Sequence, residues 1–127
     1  MAKSIIREKS FAFALQTIAL YQKLQNEREY VISRQLLKSG TSVGANVEEA
    51  VAAQSRNDFL SKMAIASKEA RETRYWLMLL QESRLTKSEL SSALENVEEL
   101  IRILSSIVKT TAETAGRTQN SKFKTQN

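Results

Sequence analysis

The sequence predicts an all-α protein, an antiparallel up-down-up-down four-helix bundle, and three observations lead to this prediction. The chain has 127 residues, which is enough for one domain with one real core. It contains no proline and only three glycines, so few positions can break a helix. Its apolar residues recur at three- and four-residue steps in four segments that short polar breaks separate.

These segments set the expected domain organisation. Residues 1–115 form one bundle domain, and residues 116–127, which are polar, basic and without periodicity, form a disordered tail. The four helices are expected at about 8–26, 29–53, 56–83 and 87–114.

Polar residues mark the breaks between these helices. The run Asn26–Glu29 separates the first helix from the second. Ser55 is placed to cap the third helix, with Asp58 in the first turn, where an acid is favoured. Thr86 and Glu89 have the spacing of a capping box ahead of the fourth helix.

The first helix is apolar on two sides. Phe11, Leu15 and Ile18 lie on one side, and Phe13 and Leu20 lie on the other. In a domain this small, we expect one side to face the bundle and the other to face a neighbouring subunit. A closed ring and a two-fold dimer both satisfy this pattern, and a monomer with an adhesive surface is the alternative.

The second helix carries Gly40 and Gly44 in its interior, where each glycine costs about 0.5–1 kcal/mol relative to alanine. Both lie on or beside the apolar stripe that includes Leu36, Val43 and Val47. We therefore expect close helix packing at the two glycines. The motif SGTSVG lacks the GK[ST] ending of a phosphate-binding loop and a preceding strand, which argues against that alternative.

The third helix carries carboxylates on a second stripe, a quarter-turn from its main apolar face. Together with a polar row on the second helix they predict a buried or interfacial polar network, paired with Arg71, Arg74 or helix-two side chains within or between subunits. The members of this network are Gln35, Ser42, Asn46, Glu49, Glu69, Glu72 and Trp76. A magnesium site made of the carboxylates alone is the alternative interpretation.

The composition argues against several kinds of chemistry. The chain has no cysteine and no histidine, which removes thiolate chemistry, the commonest general base and the Glu-x-x-His pairs of di-iron bundles. The spacing Glu69-x-x-Glu72 and Glu95-x-x-Glu98 superficially resembles that of helical nucleotide pyrophosphohydrolases, but Glu95 and Glu98 lie outside the core stripe of the fourth helix. We expect no enzyme activity, no cofactor and no catalytic residues.

Nothing in the sequence indicates a membrane or an export route. No apolar run approaches the ~20 residues of a membrane span, and the N-terminus lacks the apolar core of a signal peptide. We expect a cytoplasmic protein with no membrane partner.

The formal charge of +5 permits nucleic-acid binding. The candidate nucleic-acid-binding residues are Arg34, Lys38, Lys3, Arg7, Lys9, Arg117, Lys122 and Lys124, of which the last three give the tail a charge of +3. Tyr75 and Trp76 are candidates for stacking on bases, although the stripe position of Trp76 favours the core or an interface.

Two stretches carry a family resemblance. QLLKSGTSVGANVEEA (35–50) and DFLSKMAIASKEARETRYWLMLL (58–80) resemble the four-helix bundle proteins of the 23S rRNA intervening-sequence family, and the likeness extends from about Lys9 to the last helix. The resemblance implies an antiparallel four-helix bundle that assembles into a ring, a homopentamer. It places Asn46, Glu49, Glu69, Glu72 and Trp76 at characteristic family positions without assigning them an activity.

The resemblance also suggests a function. Members were first recognised as reading frames inserted within bacterial 23S rRNA genes, and a related accessory protein of diversity-generating retroelements is a pentameric bundle that binds RNA and a reverse transcriptase. We therefore expect a non-enzymatic homo-oligomer that binds RNA or another nucleic acid through basic surface residues. A structural or adaptor homo-oligomer that binds a protein partner is the alternative.

Overall fold

Four helices account for the architecture of the chain. The computed structural model describes the backbone of residues 2–126 and the side chains of residues 5–114. The helices are α1 (Ala2–Asn26), α2 (Ile32–Val51), α3 (Arg56–Ser83) and α4 (Ser91–Gln126), and the described backbone contains no strand. The predicted all-α fold class is confirmed.

The helices form a closed square of neighbours. Over the described backbone, α1 packs against α2 and α4, α3 packs against the same two helices, and the diagonal pairs make no close backbone contact. Contacts between α1 and α2 move towards the start of α2 as they move towards the end of α1: Ser10 lies beside Gly44, Thr17 lies beside Gly40, and Gln25 bonds to Ser33. Helices α1 and α2 therefore run in opposite directions.

The core fills the space inside this square. The side chains of Leu36, Val43 and Val47 from α2 are fully buried, and α1 contributes Phe13 and Leu20. The remaining buried apolar side chains are Ile6, Leu24, Ala50, Met63, Ala66, Ala70, Leu77, Leu80, Leu90, Ala93, Val97, Leu100, Ile101 and Leu104. These residues follow the three- and four-residue steps of the sequence, because each helix turns one face inward.

A small number of polar side chains are buried with the core. The hydroxyl of Thr73 on α3 lies 2.8 Å from the hydroxyl of Ser39 on α2, and it also donates to the carbonyl of Glu69 at 2.7 Å. The hydroxyl of Thr17 donates to the carbonyl of Phe13 at 2.8 Å. Every buried side-chain nitrogen or oxygen in the described residues has a partner, as a stable interior requires.

Side-chain caps explain where α2 and α3 begin. The carboxylate of Glu29 accepts hydrogen bonds from the backbone N–H groups of Val31, Ile32 and Ser33, so α2 starts at Ile32 rather than at about 29. Ser55 caps α3 by accepting from the N–H of Asp58 at 3.0 Å, which confirms the predicted cap.

The predicted capping box of Thr86 and Glu89 is wrong, and α4 begins at Ser91 instead of about 87. The Thr86 hydroxyl donates to the carboxylate of Glu27, at the end of α1, at 2.5 Å. Because the loop is tied to α1 in this way, Thr86 does not cap the helix. Glu89 instead accepts from the N–H of Ser91 at 2.9 Å.

The C-terminal helix is longer than the sequence predicts. The backbone of α4 is helical to Gln126, beyond the expected end at about 114, and so overlaps the predicted tail at 116–127, whose side chains lie outside the described part. Among the described residues, no helix combines the length and the apolar character that crossing a bilayer would require.

Candidate nucleic-acid interface

Two of the candidate cations on α1 are neutralised by acidic partners. Arg7 makes a two-point contact with Glu48 of α2, with Nε 2.8 Å from Oε1 and Nη2 3.0 Å from Oε2. The hydrogen bond from Arg7 holds the pKa of the Glu48 carboxyl below its usual range, and Glu48 in turn raises the pKa of Arg7. Lys9 lies 3.0 Å from Glu99 of α4. These two charges are therefore engaged in contacts between helices.

The two candidate cations on α2 differ from those on α1 because they have no acidic partner among the described residues. Arg34 and Lys38 are exposed, one turn apart on the outer side of the helix, and neither lies in an ion pair among the described residues. Both are free to meet an anion. The remaining candidates, Lys3, Arg117, Lys122 and Lys124, lie outside the residues whose side chains are described.

Two pairs of residues from the predicted polar network form hydrogen bonds, each pair within a single helix, and the network as a buried or interfacial unit stays a prediction. The Asn46 amide donates to the carbonyl of Ser42 at 2.9 Å and to its hydroxyl at 3.1 Å. The Trp76 indole donates to the Glu72 carboxylate at 3.2 Å, four residues earlier on the same helix.

Only one contact of the predicted network joins α2 to α3. Glu49 lies 3.6 Å from the ammonium of Lys62. The side chains of Gln35 and Glu69 make no polar contact with another described residue, and Gln35, Glu49 and Glu72 are exposed. A role for this row at a subunit contact stays a prediction.

The carboxylates of this row are not gathered into a metal site. Over residues 5–114, no three acidic side chains come together in the way that a bound cation needs.

The two glycines of α2 lie against α1. A Cβ placed on Gly40 would be 2.6 Å from Cγ2 and 2.7 Å from Oγ1 of Thr17, and a Cβ on Gly44 would be 3.3 Å from the carbonyl oxygen of Ser10. The glycines let the two backbones approach closely, which brings Arg7 within reach of Glu48 one turn further along.

The outer side of α1 presents an apolar stripe to solvent. Phe11 is 67% exposed, Leu15 is 55% exposed and Ile18 is 40% exposed. Beside Phe11, a groove between α1 and α2 has small residues in its lining, among them Gly44 and Ala45. Contiguous exposed apolar side chains of this size are typical of surfaces that bind another protein.

Sequence reasoning missed one group of cations. Arg71 and Arg74 were expected to pair with carboxylates, but Arg71 donates to the Ser105 hydroxyl of α4 at 3.1 Å. Arg74 is half-buried and lies in no ion pair within the described part of the chain. Their spacing of three residues, together with the neighbouring Tyr75, was the available signal, because it places all three on one side of the helix.

The fold defines a class of protein, an all-α four-helix bundle. A family model described as 23S rRNA-intervening sequence protein matches residues 2–106. The chain belongs to this family, which confirms the resemblance seen in its sequence.

A solved structure agrees with this assignment. The crystal structure of a protein of unknown function from the S23 ribosomal protein family of Bacteroides thetaiotaomicron is 45% identical to this chain, with a TM-score of 0.81. The match covers 86% of this chain and 99% of that one. No match was found among curated proteins.

Proposed function

We propose that this chain is a non-enzymatic, cytoplasmic homo-oligomer that binds RNA through basic clusters on its surface. The observation that carries the proposal is the pair Arg34 and Lys38, two exposed cations on one outer face of α2 without an acidic partner among the described residues. The name of the family, which refers to 23S rRNA, supports RNA as the nucleic acid.

Local clusters matter more here than total charge. Of the formal charge of +5, the chain ends contribute +4 through Lys3, Arg117, Lys122 and Lys124, so residues 5–114 carry only +1. A nearly neutral bundle attracts phosphates only where cations are grouped and unpaired. Several copies of one such group in an oligomer would raise the local field and the effective affinity.

The mechanism follows from the chemistry of the phosphate backbone. Arginine and lysine contacts to phosphates release condensed counterions, so affinity falls steeply with salt and depends little on sequence. Binding of a labelled single-stranded RNA should therefore weaken by a large factor between about 50 and 200 mM salt. Salt-independent binding, or no binding at low salt, would contradict the proposal.

The variant Arg34→Glu/Lys38→Glu tests the residues that carry it. Removing two phosphate contacts should lower the slope of log affinity against log salt by about 1.4 on single strands. The matched control is Lys23→Glu/Arg56→Glu, which makes the same change in net charge at two exposed cations that lie in no ion pair of the described chain. Equal effects of the two variants would mean that net charge, and not this face of α2, governs binding.

The apolar stripe of Phe11, Leu15 and Ile18 supports the oligomer. The pentameric ring follows from the family resemblance. Light scattering should give a mass several times that of one chain, and Leu15→Lys should shift it towards the monomer while helicity is retained. Leu85→Lys, at a side chain that is 53% exposed in a loop, is the control that should leave the mass unchanged.

The adaptor alternative rests on the same stripe, because an exposed apolar stripe can also receive a protein partner. An oligomer that ignores RNA at low salt would favour this alternative, whereas a stable monomer would contradict both. An oligomer that gains mass with RNA at low salt and releases it at high salt would favour RNA binding.

A further inference from the structure

The outer side of α3 carries a group of side chains that the packing of the bundle does not use. Its members are spaced three and four residues apart and span about one third of the helix circumference: Lys68, Arg71, Arg74, Tyr75 and Met78. We call this group the α3 basic strip. Tyr75 is 55% exposed and Met78 is 49% exposed, Lys68 and Arg71 are exposed, and Arg74 is half-buried.

Among residues 5–114, no carboxylate forms an ion pair with the cations of the strip. The ion pairs in the described chain use only Arg7, Lys9 and Lys62 as cations. Arg71 bonds to the hydroxyl of Ser105, a neutral group that orients the guanidinium and leaves its charge intact.

The acids that border the strip are held elsewhere or lie at its end. Glu72, four residues after Lys68, accepts the indole N–H of Trp76 at 3.2 Å and forms no ion pair with the strip among the described residues. Glu82 lies one turn beyond Met78 and makes no ion pair with the strip.

Helix α4 adds cations beside the strip. Ser105, which meets Arg71, is flanked by Arg102 three residues before it and by Lys109 four residues after it. Glu95, Glu98 and Glu113 are exposed acids on the same side of α4, about two turns or more from Ser105, and none of them forms an ion pair with these cations among the described residues. The surface around Arg71 therefore groups cations from two helices, with the acids of α4 lying further along that helix, although residues 5–114 carry a formal charge of only +1.

The aromatic side chain of the strip is held in place. The rings of Tyr75 and Trp76 meet edge to face, with centroids 5.1 Å apart and an interplanar angle of 69°. Trp76 is itself fixed by its bond to Glu72. A pre-positioned, half-exposed tyrosine one turn beyond Arg71 and next to Arg74 is suited to stacking on an unpaired base while the arginines meet neighbouring phosphates.

We propose that the α3 basic strip is the surface on which single-stranded RNA binds, with Arg71 and Arg74 on phosphates and Tyr75 stacked on a base. This rests on the proposed RNA-binding function and names its principal site. A duplex presents no unpaired base to Tyr75, so the strip distinguishes single-stranded RNA from duplex RNA of the same length.

The experiment measures the affinity of the full chain for a labelled single-stranded oligonucleotide of ~12 nucleotides and for the matched duplex. Tyr75→Ala should weaken single-strand binding about 5- to 100-fold and duplex binding far less, whereas Tyr75→Phe should keep the affinity. Arg71→Glu/Arg74→Glu should lower the salt slope by about 1.4, and Arg71→Lys/Arg74→Lys should retain most of it.

Controls separate a lost site from a lost fold. The charge-matched variant Lys23→Glu/Arg56→Glu should bind within a few-fold of wild type, and circular dichroism and light scattering should show unchanged helicity and mass for every variant. Since Arg74 is half-buried, Arg71→Glu alone is the second variant, and it should lower the slope by about 0.7.

The outcomes distinguish the inference from the function on which it rests. If wild type binds no RNA at low salt, the proposed function fails. If wild type binds but Tyr75→Ala and the double charge reversal on α3 leave affinity unchanged, the strip is not the site, although RNA binding through Arg34 and Lys38 survives. If the α3 variants dissociate the oligomer, the strip is a subunit contact and the inference is overturned.

Discussion

The packing of Gly40 against Thr17 gives the sharpest prediction for stability. Replacing Gly40 with alanine places a Cβ 2.6 Å from Cγ2 and 2.7 Å from Oγ1 of Thr17, well inside van der Waals contact. Thr17 cannot turn away freely. Its χ1 rotamers are restricted in a helix, its hydroxyl donates to the Phe13 carbonyl at 2.8 Å, and its side chain is 2% exposed.

The magnitude follows from two opposing terms. Overpacking of a well-filled interior costs about 1–3 kcal/mol. Alanine is a better helix former than glycine by about 0.5–1 kcal/mol, which offsets part of this cost. We therefore expect Gly40→Ala to lower the free energy of unfolding by about 0.5–2 kcal/mol.

Gly44 provides a control on the same helix. A Cβ at Gly44 would lie 3.3 Å from the carbonyl oxygen of Ser10, which requires a shift of only a few tenths of an ångström. The gain in helix propensity then cancels most of the cost, so Gly44→Ala should stay within about 0.5 kcal/mol of wild type.

Urea denaturation followed by circular dichroism measures these changes in the free energy of unfolding. All variants are compared at one fixed protein concentration, because oligomers gain stability by mass action. Thr17→Ala removes the two closest atoms and leaves a Cβ at 3.1 Å, so the double variant Gly40→Ala/Thr17→Ala should recover stability relative to the sum of the single changes. An alanine at Gly40 that stabilises the protein, or a cycle without coupling, would refute the reasoning.

Two further predictions concern polar contacts. Thr73→Val should lower the free energy of unfolding by about 1–3 kcal/mol in the same urea assay, because it removes the hydroxyl pair with Ser39 in the core. Ser39→Ala/Thr73→Val should lower it by less than the sum of the single changes, because no unpaired hydroxyl remains. The Thr86 hydroxyl, followed by the Lys87 N–H, holds the pKa of Glu27 below its ordinary value, so this stabilisation is present above pH ~4.3 and is lost as pH falls through the lowered pKa. Glu27→Gln should flatten that part of the curve of unfolding free energy against pH, and an unchanged curve would show that the contact does not contribute.

The sequence was sufficient for the fold because the core depends on spacing alone. The apolar positions of α2 and α4 recur at helical intervals, and the bounds of α3 at 56–83 follow from a serine cap that is visible in the sequence. The family resemblance was equally readable, because its motifs occupy contiguous stretches of α2 and α3.

The start of α4 could not be read from the sequence because a distant residue decides it. Thr86 and Glu89 have the spacing of a capping box, yet the carboxylate of Glu27 accepts from the hydroxyls of Thr86 and Ser88 and from the N–H of Lys87. The tertiary contact of Thr86 with Glu27, which lies 59 residues earlier in the chain at the end of α1, therefore prevents the local capping pattern from forming.

The same limit applies to the surface that we assign to RNA. The sequence alone does not distinguish among four basic residues on helices: Arg7, Lys9, Arg34 and Arg71. Their ion pairs distinguish them in the structure. Arg7 is paired with Glu48 and Lys9 with Glu99, each from another helix, whereas the described contact of Arg71 is with a hydroxyl. A paired cation must give up its partner before it can bind phosphate, and an unpaired one need not. The unpaired cations of α2 and α3 are therefore better placed to bind RNA than the paired cations of α1, although all of them add equally to the net charge.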